Sequence, residues 1–187
     1  MPDELIRIYK EHFLPAYSDL VALTVEKPES ILLEIESTLT HLMKYVMDED
    51  KETNVKKAKG HVYRASLDCY KMMWDFIYES VSGAFEYREA YKGDEADLLQ
   101  RRRELYDALR SARRMESREV GSEHEETLNL YKKALAVGLE IFYSTDQSIL
   151  KKLKQKDRFK GPFTMYVFPA ILCVIGVTAT IYGIFFT

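Results

Sequence analysis

Residues 60–85 read GHVYRASLDCYKMMWDFIYESVSGAF. Val62, Ala65, Leu67, Tyr70, Met73, Trp74, Ile77, Val81 and Phe85 supply nearly unbroken apolar content, without strand-like alternation and with no proline among them. The stretch predicts a long helix, from about Asn54 to Tyr91, that needs partners on several sides. It therefore belongs at the centre of a helical bundle. Gly93 and Asp94 interrupt it.

The same periodicity continues on both sides. Upstream, Leu5, Ile6, Tyr9, Phe13, Tyr17, Leu20 and Leu23 mark a helix from Asp3 to about Glu26, which Pro15 bends or splits. After a break at Lys27-Pro28, Ile31, Leu32, Ile35, Leu39, Leu42, Met43 and Val46 mark a second, ending at the acidic run Asp48–Asp50. Downstream, Leu98, Leu99, Leu105, Tyr106, Leu109 and Ala112 predict a fourth helix that dissolves around Ser117–Ser122. A fifth is predicted from about Glu123 towards Arg158. The expected fold class is all-α, with a helical domain over 1–160 and no internal repeat.

The formal charge of −3 on 187 residues conceals an asymmetry. Lys151, Lys152, Lys154, Lys156, Arg158 and Lys160 face one anion, Asp157, so that segment is +5 and the remainder −8. An acidic body does not attract polyphosphate through its overall field; nucleic-acid contact requires a local basic patch. Apart from that C-terminal stretch, Arg101, Arg102, Arg103, Arg110, Arg113 and Arg114 make the fourth helix the one markedly basic part of the helical body, diluted by Glu104, Asp107 and Glu116. It suits a solvated, salt-bridged face, or docking to acidic groups of a neighbouring subunit or RNA.

Gly161-Pro162 is expected to form a short hinge after the fifth helix, and no charged residue occurs beyond it, from Phe163 to Thr187. About 25 helical residues reach roughly 37 Å, enough for a bilayer's hydrocarbon core. Residues 162–187 are accordingly expected to form a single transmembrane helix. The preceding cations orient the large N-terminal domain to the cytoplasm and attract anionic lipid heads. This is a single-pass, tail-anchored topology, expected in the bacterial inner membrane. Cys173, Gly176, Thr180 and Gly183 form a small-residue stripe suited to close helix packing or to lining a pore. The start of the chain lacks a secretory signal, and the other cysteine, Cys69, lies in the central helix as a small apolar residue, with no disulfide expected.

Three groups of residues carry possible chemistry. Arg118 and His124 flank the turn before the last helix. A histidine there serves as general acid or base, and a guanidinium stabilises a phosphorane-like anion. His61, Arg64 and Asp68 share one face of the central helix, Arg64 within reach of an ion pair with Asp68; they orient His124 or complete a buried polar network. His12 and His41 lack ligand-spaced partners, so neither a metal nor another cofactor is expected. No phosphate-binding glycine loop, Ser-His-Asp set or nucleotide fingerprint is present.

Arginine followed by histidine before the final helix of an all-α bundle resembles the motif of HEPN domains, many of which cleave RNA. The stretch from Gly60 to Tyr70 is similar to their central helix, and the likeness covers roughly residues 30–150. With one membrane span, the architecture most resembles the small accessory proteins of type VI-B CRISPR systems, which partner an RNA-guided RNA nuclease. That resemblance implies Arg118 and His124 as the paired motif, a homo-oligomer, and a membrane pore serving antiviral defence. Glu119 after the motif arginine departs from the pattern. With Glu123, Glu125 and Glu126 it makes the site acidic, which argues against nuclease activity. The alternatives are a membrane-tethered endoribonuclease and a passive adaptor recruiting a soluble partner.

Overall fold

The computed structural model describes the backbone of residues 2–118 and 125–162, with side chains over 3–117 and 125–157. The described residues are all-α. Helix α1 (Pro2–Ile8) passes through a π-helical turn, Tyr9–Phe13, into α2 (Leu14–Thr24). α3 spans Glu29–Val46, α4 Lys51–Glu86, α5 Glu95–Arg118, α6 Glu125–Tyr143 and α7 Gln147–Pro162; a single 3-10 turn, Arg88–Ala90, follows α4.

Pro15 explains the π turn. Proline has no N–H for the i−4 carbonyl and its ring collides with it, so the chain widens by one residue just before Leu14-Pro15 and then resumes as α2. Val25, in the left-handed region at φ 60°, closes α2. At the other end of α3, Asp48 and Asp50 both take positive φ, and Asp50 then caps α4 by accepting from the Thr53 N–H at 3.4 Å.

α4 is the central helix, as its composition predicts: α1, α2, α3 and α6 all pack against it, and α5 packs against α6. Val62, Ala65, Cys69, Met73, Ile77, Val81 and Ala84 are at most 1% exposed. Gly138 of α6 permits the close approach of the two helices. A Cβ there would lie 2.9 Å from Ile77 Cδ1 and 3.0 Å from the Trp74 ring.

Two expectations are corrected. The helix predicted from Glu123 towards Arg158 is two helices, because the chain breaks at Ser144–Asp146. Thr145 bridges to Tyr91, the Lys92 N–H donates to Ser144 O at 2.9 Å, and Asp146 caps α7 by accepting from the Ser148 and Ile149 N–H groups. Gly161-Pro162, read as a hinge, is the end of α7. The chain falls into two compact units, Met1–Thr145 and Asp146–Thr187, so the basic stretch belongs with the C-terminal one.

The periodicity of α3 also misleads in part. Ile31 is buried, but Leu32, Leu39, Met43 and Val46 are 48%, 58%, 60% and 74% exposed. They lie seven, four and three residues apart and form one apolar stripe on the outer face of the helix.

No helix among the described residues is long and apolar enough to cross a membrane. Of the expected span, residues 162–187 with Cys173, Gly176, Thr180 and Gly183, all but Pro162, which ends α7, lie outside the described residues.

Candidate functional site

The motif expected to carry chemistry lies between α5 and α6. Arg118 is the last residue of α5, residues 119–124 including His124 lie outside the described part, and α6 opens at Glu125. The positions just before and after the motif are each held by a carboxylate.

On the α5 side, Glu116 accepts from Lys71 Nζ at 2.5 Å and from the Tyr131 hydroxyl at 2.6 Å, so α4, α5 and α6 meet on one acid. Burial raises the pKa of this carboxyl, but the two hydrogen bonds outweigh it and hold it below its ordinary value. Burial and the bond to Glu116 push the Tyr131 phenol up, so it stays a donor. A carboxyl with a depressed folded-state pKa stabilises the protein fully above its ordinary value of 4.5, and that contribution is lost as pH falls through the folded value. The thermal midpoint is therefore expected to drop as the pH is taken below about 4.5, and Glu116→Gln to reduce that drop. A thermal melt series over pH checks both.

On the α6 side, Glu125 is paired with Arg7 of α1, and His12 Nε2 lies 3.4 Å from its other oxygen. His12 is 3% exposed, and its Nδ1 has no partner among the described residues. Nothing ligand-like lies near His12 in the chain, so its partner is not visible from local spacing. A signal was present: Leu5, Ile8, His12, Ala16 and Leu20 share one buried face. A histidine on such a face needs a polar partner, and Glu125 is the one this fold supplies.

The central-helix triplet assembles differently from expectation. His61 Nδ1 lies 2.7 Å from Glu34 of α3, and Arg64 Nε lies 3.3 Å from the same oxygen. Arg64 thus takes Glu34 rather than Asp68, because α3 brings an acid across the interface that sequence spacing does not show. Arg64 Nη2 is also 2.8 Å from His61 Nδ1. That nitrogen serves one partner at a time: protonated it donates to Glu34, and bare it accepts from Arg64. The His61 ring stacks on His41 with centroids 5.3 Å apart. Between His41 Nδ1 and Asn54 Oδ1 the separation is 2.8 Å, and the Asn54 amide donates to Glu49 O at 2.7 Å. Every partner of this chain lies on α3, on α4 or in the turn between them. Asp68 stands apart, its carboxyl pushed up mainly by burial and only partly offset by Lys71. Cys69 beside it is fully buried, which pushes its thiol up to about 12 and leaves it unreactive.

One cleft opens beside the motif. A groove of about 530 Å³ runs between α4 and α5, with Trp74 and Tyr78 on one wall and Tyr106, Arg110, Arg113 and Arg114 on the other. Leu109 forms part of its apolar lining, and Ser117 marks its end next to Arg118.

Neither the family models, nor the curated proteins, nor the solved structures compared with this chain match it. The chemistry of the site therefore rests on its own residues. Among the described residues, no three His, Cys, Asp or Glu side chains converge to hold a metal ion. What the geometry provides is two helix ends, α5 near Glu116 and α6 at Glu125, whose acids are neutralised by cations from α4 and α1 respectively.

Proposed function

We propose that this chain is a membrane-anchored helical effector of RNA-guided antiviral defence, which assembles through its HEPN-like bundle and gathers residues 163–187 of several copies into a membrane pore. The observation that carries the assembly is the exposed stripe of Leu32, Leu39, Met43 and Val46 on α3. Single exposed apolar residues are ordinary, but four in helical register on one face are a surface that gains by being covered. Copies anchored in one membrane are concentrated and co-oriented, so the same face of a second copy is the occupant at hand.

The membrane part is supported by the uncharged sequence 163–187 and by α7, where Lys151, Lys152 and Lys156 are exposed. Each lysine near an anionic surface contributes about 1 kcal/mol. Purified in detergent, the full chain is expected to run as an oligomer by mass measurement, and Leu39→Lys with Met43→Lys to shift it towards monomer. A chain strictly monomeric at high concentration contradicts the proposal.

The pairing of Glu116 with Lys71 and of Glu125 with Arg7 favours a second reading, a membrane-tethered endoribonuclease using Arg118 and His124. The Arg7 pair neutralises one acid, Glu125, of the rim that sequence alone sets against RNA, and the Lys71 pair neutralises a further acid, Glu116, close to Arg118. Labelled RNA cleaved by the wild type and left intact by His124→Ala establishes the enzyme; no cleavage by either leaves the motif a structural one.

A further inference from the structure

We infer that the groove between α4 and α5 binds single-stranded RNA, with its aromatic rings stacking on bases and its arginines holding phosphates. Such binding is independent of the membrane anchor. Tyr78 and Tyr106 are 56% and 52% exposed, and Trp74, half-buried, meets Tyr78 edge-on with centroids 5.8 Å apart. Exposed ring faces lining a groove are platforms for any base, because every base has a π-face. Further along α5, Arg102 lies over both Tyr106 and Phe85, 5.6 and 5.2 Å from the ring centroids, and continues the same cation and ring alternation.

The arginines supply the other half. Arg101, outside the groove, is committed to Asp97 and Glu140. Arg110, Arg113 and Arg114 are exposed and line the groove, and of the three Arg113 is the one whose charge also acts on Glu116. Guanidinium is the side chain that suits bidentate phosphate contact and stacking together. From Tyr106 to Ser117 the α5 wall is about 16 Å long, which spans roughly five nucleotide steps at the stacked spacing of about 3.4 Å. A volume of about 530 Å³ is within the range of ligand sites, about 300–1,000 Å³. An acidic peptide would use the arginines but has no use for three rings. A duplex would hide its bases from them. The overall charge of −3 is no obstacle, since the recognition is local.

Trp74 makes the test direct, because it is the protein's one tryptophan. The full chain in detergent is titrated with a ten-nucleotide single-stranded RNA, and Trp74 fluorescence and RNA anisotropy are followed together. Quenching is expected on the same curve as the anisotropy rise. Tyr78→Ala is expected to weaken binding at least about fivefold. Arg110→Gln with Arg114→Gln is expected to lower the slope of log affinity against log salt by about 1.4, the loss of two single-strand phosphate contacts. All three side chains are at the surface, and an unchanged thermal melt verifies that the variants fold. The proposal is overturned if RNA binds without quenching Trp74, if the variants bind as the wild type does, or if polyglutamate or duplex RNA binds as tightly as the single strand.

Discussion

Ile175→Lys is expected to strip most of the protein from membranes. Residue 175 is the midpoint of 163–187, and a lysine at the centre of a spanning helix costs about 3 kcal/mol on insertion scales, roughly a hundredfold in the inserted fraction. Twelve Leu, Ile, Val and Phe residues in the segment provide the opposing drive, at about 0.3–0.6 kcal/mol each. Glycines, threonines and Pro169 reduce that margin, so one charge decides the outcome. The protein resisting alkaline extraction from a membrane fraction measures the effect, with Ile175→Leu as the conservative control. Residues 1–145 form their own compact unit, so their thermal melt should not change. Equal retention of the two variants would show that 163–187 is not what holds the protein to lipid.

The second large effect is in the core. Ile77→Ala is expected to destabilise the bundle by about 3 kcal/mol, within the range of about 2–5 kcal/mol for such truncations. Ile77 is fully buried where α4 meets α6, with Gly138 leaving little room for collapse. Urea unfolding followed by circular dichroism measures it as a shift in midpoint at unchanged slope. A paired experiment locates the contact. Gly138→Ala alone drives a methyl against Ile77 Cδ1, whereas Ile77→Val lacks that carbon, so the two changes together should cost less than their sum. Additive costs would place the strain elsewhere, on the Trp74 ring.

How far these features are legible in the sequence varies with the kind of interaction. The central helix is legible because burial on several sides leaves its mark in composition: Val62, Met73, Ile77 and Val81 announce it without any partner being known. α3 is legible as a helix but not in its burial. Periodicity reports that one face is apolar, not whether this chain or another covers it, and Leu39 and Met43 stay exposed. The break at Ser144–Asp146 had a local signal, a hydroxyl pair followed by an aspartate able to cap, masked by the apolar and basic residues on either side. The Glu34–His61–Arg64 cluster and the His12–Glu125 contact were out of reach, since each joins residues far apart in the chain. Only the packing of α3 on α4, and of the π turn towards the start of α6, puts them together. The groove was half legible: the arginines of α5 stood out, but the rings opposite them are on another helix.

The central claim is that copies of this chain open a path through a bilayer, and dye release from sealed liposomes tests it most directly. Full-length protein reconstituted into liposomes containing anionic lipid is expected to release a small entrapped dye and retain a large dextran, while Ile175→Lys protein releases neither. Liposomes that stay sealed to the small dye, although the wild-type chain has demonstrably inserted, would contradict the account.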